Sequence, residues 1–270
     1  MSSDQAGEAI REAIRVEGLH KSYGDWPVLW DLNFSVGWGE FVVLFGANGT
    51  GKTTLLRVLS TQARAESGTV KVAGYDCLRQ PESVRRRVGV VGHSGLLYED
   101  LTCRENLTFY GQLFRIEHTR QRVEDVLSRV GLTRRADHRV KTLSHGMQKR
   151  VAIARAILHQ PQVLLLDEPE GGLDQESVSM LSGLLSEWTQ AGRTVVMTTH
   201  NIDLGLAWAD KVAVLSDGGL QFQDRETYHD SAKLQRTPTG KTTRKPSRGL
   251  SGDSSRYSTE DTARTSGGSN

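Results

Sequence analysis

Apolar and polar residues follow two kinds of strand-like pattern over roughly the first 230 residues. In the first kind they alternate, which predicts half-exposed antiparallel strands; it covers residues 14–19, 33–36 and 69–72. In the second kind the run is continuously apolar, as is typical of buried parallel strands; it covers residues 41–45, 89–91, 163–166 and 194–198. Because amphipathic stretches separate these runs, the chain predicts an α/β fold with a mostly parallel sheet covered by helices.

The stretch from about residue 94 to residue 160 carries a helical pattern with no convincing strand. Its apolar positions predict consecutive helices near residues 105–114, 120–130 and 147–158. We interpret it as a helical subdomain inserted into the chain order of the sheet, within one domain of residues 14–230.

The two ends of the chain differ from this domain in composition. Residues 1–13 have no apolar stretch of the kind found in a secretory signal, and we expect a flexible N-terminus. Residues 231–270 contain eight Ser, seven Thr and five Gly, with few apolar residues, and we expect them to be disordered. Eight Lys or Arg stand against three Asp or Glu in this tail. This excess favours either weak contact with anionic lipid or a solvated tail with no role.

Charge and cysteine content narrow the class of protein. The formal net charge of the whole chain is +2, and with the basic excess in the tail nothing indicates nucleic-acid binding. The two cysteines, Cys77 and Cys103, form no CxxC pair, so we expect neither disulfides nor zinc. The longest apolar runs have about five residues, too few to span a bilayer. We expect a soluble, cytoplasmic protein.

The strongest motif is a phosphate-binding loop of the GxxxxGK[ST] form, which follows the apolar run at residues 41–45 and precedes a helical pattern at residues 52–60. Backbone N–H groups and the helix N-terminus in such a loop bind phosphate oxygens. Lys52 is expected to reach the β- and γ-phosphates, and the Thr53 hydroxyl to ligate Mg²⁺. The predicted nucleotide-binding residues here are Gly46, Ala47, Asn48, Gly49, Thr50, Gly51, Lys52, Thr53 and Thr54.

Two carboxylates, Asp167 and Glu168, follow the apolar run at residues 163–166. The end of a parallel strand lies at the same edge of the sheet as the phosphate loop. Asp167 is therefore expected to hold magnesium, and Glu168 to polarise the attacking water. Alone, such a pair could equally cap a helix.

A third motif, Leu143-Ser144-His145-Gly146-Met147-Gln148, precedes the predicted helix at residues 147–158, and Ser144 is a good N-cap. At this point the chain resembles the ATP-binding cassette (ABC) family, whose signature sequence LSGGQ begins this helix. The resemblance implies a RecA-like core with an N-terminal antiparallel sheet and an inserted helical subdomain. It also implies a homodimer in which residues 144–147 of one subunit contact the γ-phosphate bound by the other.

The same resemblance assigns three further positions. His200, at the end of the run 194–198, matches the switch histidine that contacts the γ-phosphate. Asp174 matches the loop through which the subunits communicate, and Tyr23 the aromatic residue that stacks on adenine. A lone histidine or tyrosine is more often a packed residue than a ligand. The implied partners are the second ATPase subunit and a membrane permease, whose docking groove would lie near residues 93–102 on the cytoplasmic face.

One position departs from the family pattern, because His93 replaces the usual glutamine. Gly92-His93 followed by LTCRENLTFY at residues 101–110 resembles the ATPase subunit of the bacterial haem exporter of cytochrome c maturation. We expect His93 to act near the nucleotide through water or the γ-phosphate, because imidazole is a poor magnesium ligand. The alternatives are a drug or lipid exporter, with His93 a tolerated substitution, and a soluble ATPase of an assembly system such as iron–sulfur cluster biogenesis.

Overall fold

A computed structural model describes residues 12–92 and 95–229, all of which belong to the unit Met1–Arg236. The predictions for His93, for residues 1–11 and for the tail at residues 231–270 lie outside the described residues. The prediction that residues 1–13 are flexible was wrong for residues 12 and 13. Glu12 and Ala13 already belong to the first strand, and Ala13 is buried in the core.

The strands form two sheets. A four-stranded antiparallel sheet has the order β2-β1-β4-β5, and a six-stranded sheet has the order β10-β9-β3-β8-β7-β6. Neighbours in the larger sheet run parallel except β10, which pairs antiparallel with β9. The strands are β1 (Glu12–Tyr23), β2 (Trp26–Gly37), β3 (Phe41–Phe45), β4 (Ser67–Val72), β5 (Tyr75–Asp76), β6 (Val88–Val91), β7 (Val163–Asp167), β8 (Thr194–Thr198), β9 (Lys211–Ser216) and β10 (Gly219–Gln223).

Seven α-helices connect or cover these strands in the described residues. They are α1 (Lys52–Leu59), α2 (Pro81–Arg85), α3 (Cys103–Leu113), α4 (Thr119–Arg129), α5 (His145–Ile157), α6 (Gln175–Gln190) and α7 (Ile202–Trp208). Four of them begin at a side chain that accepts a backbone N–H, as the Thr102–Glu105 capping box of α3 illustrates. None of the described helices is long and apolar enough to cross a membrane.

The α/β fold class is confirmed, and so is the helical segment between β6 and β7, which contains α3, α4 and α5. The predicted helices begin within two residues of the observed ones. β3, β7 and β8 are buried at every position, as continuous apolar runs require. The elements that were not predicted are β5, β9, β10, α2, α6 and α7. β5 and α2 are short, with two and five residues, whereas β9 was overlooked although it contains a continuous apolar run at residues 212–215.

Candidate nucleotide site

The phosphate loop connects β3 to α1 and folds around its own lysine. Lys52 Nζ donates hydrogen bonds to the carbonyl oxygens of Gly46 at 2.8 Å and Ala47 at 2.9 Å. Gly51 has φ of 103°, and a Cβ there would lie 2.8 Å from Val28 Cγ1. Only glycine fits this position without strain, because the backbone is left-handed and β2 packs against the loop.

The Lys52 ammonium lies close to the acidic end of β7. Burial lowers the pKa of Lys52, while the charges of Glu168 and Asp167 oppose that change. The three groups therefore belong to one electrostatic cluster, as the sequence predicted from the shared edge of the sheet.

Asp167 is held by two hydroxyl groups from different elements. Thr53 Oγ1 at the start of α1 donates to Asp167 Oδ2 at 2.8 Å, and Thr198 Oγ1 donates to Oδ1 at 2.6 Å. The second contact follows from the sheet register, in which Asp167 pairs with Thr198 of β8. Asp167 is only 5% exposed. A hydroxyl and a carboxylate at this separation fit Mg²⁺, which takes few protein oxygens and completes its shell with phosphate and water.

Glu168 and His200 form a pair beside Asp167. The Glu168 backbone has φ of 49°, in the left-handed region, and its N–H donates to the Thr198 carbonyl oxygen at 3.1 Å. His200 Nε2 lies 2.7 Å from Glu168 Oε1. A strained non-glycine residue that carries a carboxylate is typical of a functional position. The arrangement can orient a water molecule and accept its proton next to the phosphate loop.

The signature residues begin α5, and His145 lines the same cavity as Glu168 and Gly171. Ser144 caps the helix by accepting the Met147 N–H at 3.3 Å, as predicted. Ser144 and His145 are exposed, and Gly146 and Met147 are half-buried in the first turn. Among the described residues, no hydrogen bond joins Ser144, His145 or Met147 to the phosphate loop of the same chain. Contact with a nucleotide in a second subunit therefore stays a prediction.

Tyr23 is the last residue of β1. Its side chain is 47% exposed, and the Lys21 ammonium lies 4.9 Å from the centre of its ring. Its cross-strand partner Trp26 is 80% exposed. The sequence analysis did not single out Trp26, although an aromatic residue just after the turn at residues 24–25 is a visible signal.

Asp174 caps α6 within its own chain. Its carboxylate accepts the Ser177 N–H at 2.9 Å and lies 3.4 Å from the Arg150 guanidinium. The hydrogen bonds from Ser177 are the main reason that the pKa of Asp174 is lowered. This structural role accompanies the predicted role in communication between subunits.

Three residues near the carboxylates, Thr199, Glu170 and Lys149, were not predicted from the sequence. The Thr199 hydroxyl donates a hydrogen bond to Glu170 Oε1, and Lys149 of α5 lines the same cavity as Glu168. Thr199 could have been suspected because it precedes His200 in the run Thr198-Thr199-His200. Lys149 and Glu170 carry no such signal, since only the fold brings them together.

A parallel sheet with a phosphate loop after β3 and paired carboxylates after β7 defines a phosphate-loop nucleoside triphosphatase. A family model described as "ABC transporter" matches residues 29–171. The linearmycin resistance ATP-binding protein LnrL of Bacillus subtilis is 31% identical over 209 residues, covering 77% of this chain and 67% of that protein. The daunorubicin resistance ATP-binding protein DrrA3 of Streptomyces coeruleorubidus is 36% identical over 208 residues, covering 76% and 66%.

The Nod factor export ATP-binding protein I of Paraburkholderia xenovorans is also 36% identical over 208 residues, covering 76% of this chain and 68% of that protein. The solved structures include an ATP-binding subunit of an ABC transporter, with a TM-score of 0.76 and 26% identity over 83% of this chain and 95% of the other. The ATP-binding cassette MJ0796, a post-hydrolysis dimer with ADP and Pi, gives a TM-score of 0.74 and 27% identity over 78% and 98%.

The chain belongs to the ABC transporter family, as an ATP-binding subunit with ATPase activity. It spans about two thirds of the length of the three curated relatives named above.

Proposed function

We propose that this protein is the ATP-hydrolysing subunit of an exporter, acting as a homodimer on the cytoplasmic face of a membrane permease. The observation that carries the proposal is the cluster of Thr53, Asp167, Glu168 and His200 beside the phosphate loop. Its geometry suits hydrolysis of a bound nucleoside triphosphate rather than binding alone, because a carboxylate is placed to activate water.

Each residue of the cluster has a distinct task in the proposed reaction. The loop and Lys52 bind the phosphates, and Thr53 with Asp167 would hold Mg²⁺, which neutralises charge on the phosphate oxygens. Glu168 orients the attacking water and accepts its proton. His200 holds the Glu168 carboxylate in place at 2.7 Å and would contact the γ-phosphate. Tyr23 stacks on the base.

The signature residues complete the site from the second subunit. Ser144 and His145 are exposed at the N-terminus of α5, where backbone N–H groups and the helix dipole favour an anion. Two ATP molecules enclosed between two subunits would close the dimer, and hydrolysis would reopen it. The MJ0796 dimer supports this arrangement by similarity.

The composite site can be tested by mixing two inactive proteins. Lys52→Ala disables the phosphate loop, and Ser144→Arg disables the signature while leaving the loop intact. If the sites form between subunits, the mixed dimer contains one site with both parts intact, and ATPase activity returns on mixing. If each site forms within one chain, the mixture stays as inactive as its components.

For the exported cargo we propose a small lipophilic compound such as a drug or lipid. The relatives named for linearmycin resistance, daunorubicin resistance and Nod factor export support this class. Haem export rests on residues 92–93 and 101–110 alone, and none of those three relatives is named for it. An assembly ATPase without a permease is the remaining alternative.

An exposed aromatic cluster supports a permease partner. Tyr98 and Phe109 pack edge to face with ring centres 5.1 Å apart, and Tyr110 packs on Phe109 at 5.4 Å. This surface includes part of the groove expected to dock a permease, near residues 93–102. Affinity purification from membranes of the native host is expected to recover a permease. Recovery of cytochrome c maturation proteins would favour haem export, and recovery of cluster-assembly proteins would contradict the exporter proposal.

A further inference from the structure

One face of α5 packs against the loop between β7 and α6. A Cβ on Gly146 would lie 2.9 Å from the carbonyl oxygen of Gly172, and the Arg150 guanidinium lies 3.4 Å from Asp174. Lys149, between these positions, lines the same cavity as Glu168 and Gly171. Residues three and four apart share a helix face, so the signature helix follows this loop over its first two turns.

Glu170, in the middle of that loop, holds the turn that carries His200. One carboxylate oxygen of Glu170 accepts a hydrogen bond from the Thr199 hydroxyl. Thr199 Oγ1 in turn accepts the Asn201 N–H at 2.9 Å. Thr199 is 2% exposed, so neither hydrogen bond is readily replaced by water. His200 lies between Thr199 and Asn201 in the chain, and its ring nitrogen Nε2 contacts Glu168 Oε1.

The charge of Glu170 needs a nearby cation. Its Oε2 atom is buried and has no hydrogen-bond partner among residues 12–92 and 95–229. Such an oxygen is costly unless an opposite charge compensates it. Lys149 is a nearby cation, because it lines the cavity that also contains Glu168 and Gly171, the residue after Glu170. Burial lowers the pKa of Lys149, and the charges of Glu170, Asp167 and Glu168 oppose that change.

We propose that Glu170 and Lys149 are positioning residues for ATP hydrolysis. Glu170 acts through Thr199 and His200 on Glu168, and Lys149 is the countercharge that ties the signature helix to this set of contacts. A movement of the signature helix would then reach the hydrolytic carboxylate of its own subunit. The inference rests on the proposed role of Glu168 and His200 in hydrolysis.

The Thr199 hydroxyl offers a test with two opposed variants. Thr199→Val keeps the packing volume and removes both hydrogen bonds, whereas Thr199→Ser keeps the hydroxyl and loses a methyl group that packs on Gly205. We expect Thr199→Val to lower kcat about tenfold with KM changed less than about twofold, and Thr199→Ser to retain most turnover. A purely packing role would reverse this order and overturn the proposal.

The Lys149–Glu170 link is tested with a double-mutant cycle on kcat. Lys149→Met and Glu170→Gln are each expected to lower kcat about three- to tenfold, and the double variant to be little worse than either. Lys71→Met and Glu117→Gln, at exposed positions outside the site, are the matched controls. Additive losses would show that Lys149 and Glu170 act separately and would overturn the link.

The same assays separate this inference from the proposed function. If Glu168→Gln abolishes hydrolysis while all the Thr199, Lys149 and Glu170 variants match wild type, only the positioning role fails. If Glu168→Gln hydrolyses ATP normally, the proposed function of the cluster fails as well. ATP affinity, measured with a fluorescent analogue, checks that each variant is folded.

Discussion

Replacing His159 with glutamine is expected to remove part of the protein's sensitivity to acid. His159 follows α5, and its ring stacks on Phe114 with centres 3.9 Å apart. Its Nε2 lies 3.2 Å from the Val88 carbonyl oxygen. The pKa of His159 is lowered to about 4, chiefly by burial and also by the positive charges of Arg155 and Arg122, while the hydrogen bond with Val88 opposes the change.

The expected magnitude follows from the difference between the folded and unfolded states. The unfolded histidine has a pKa of about 6.5, so protons bind the unfolded chain first as the pH falls. Stability is therefore complete above about pH 6.5 and is lost as the pH falls towards 4. At pH 5 the folded protein is still mostly neutral at His159, and the loss is about 2 kcal/mol relative to pH 7.5.

Urea unfolding at pH 7.5 and pH 5.0, followed by tryptophan fluorescence, measures this loss for wild type and His159→Gln. Glutamine can still donate to the Val88 carbonyl oxygen but does not titrate. The substitution also removes the stacking of the His159 ring on Phe114, and this loss lowers the free energy of unfolding equally at both pH values. Carboxylates such as Glu66, whose pKa is lowered chiefly by a hydrogen bond from the Ser22 backbone, contribute equally to both proteins and cancel. An identical pH dependence for the two proteins would refute the reasoning.

Three further predictions concern the nucleotide site and its surroundings. Gly51→Ala is expected to weaken ATP binding at least tenfold by calorimetry, because φ of 103° and the contacts with Val28 and Leu29 exclude a side chain; unchanged affinity would contradict the loop geometry. Tyr23→Ala is expected to weaken ATP binding about tenfold while Tyr23→Phe preserves it, and equal affinities would leave the stacking role without support. Asp174→Ala is expected to lower the free energy of unfolding by about 1 kcal/mol through loss of the α6 cap, and an unchanged urea midpoint would argue against that role.

The parts of the site that the sequence predicted are local in the chain. The phosphate loop, the Asp167–Glu168 pair and the Ser144 cap each depend on a few consecutive residues and on the element beside them. The sequence predicted that Thr53 and Asp167 both hold Mg²⁺, because the phosphate loop and the end of β7 lie at one edge of the sheet. It did not predict the hydrogen bond that joins these two residues, which are 114 apart in the chain.

The missed parts depend on tertiary packing. Thr199 donates a hydrogen bond to Glu170 because the strands before them, β8 and β7, are adjacent in the sheet. The sequence around either residue gives no sign of that contact. In the sequence, Lys149 looks like an ordinary solvent-facing lysine of a helix. Only the packing of α5 on the loop after β7 brings it close to the carboxylates. β10 was not predicted because it has two apolar residues, Leu220 and Phe222, and its strand conformation depends on pairing with β9.

The Glu168→Gln protein tests most directly whether this cluster hydrolyses ATP between two subunits. Size-exclusion chromatography with ATP and Mg²⁺ is run beside an ATPase assay on the same sample. We expect hydrolysis to fall on the order of 10²–10⁴-fold while ATP still binds, so that the protein accumulates as an ATP-dependent dimer. Near-normal turnover, or a protein that stays monomeric with ATP bound, would contradict the assignment of Glu168 and of the composite site.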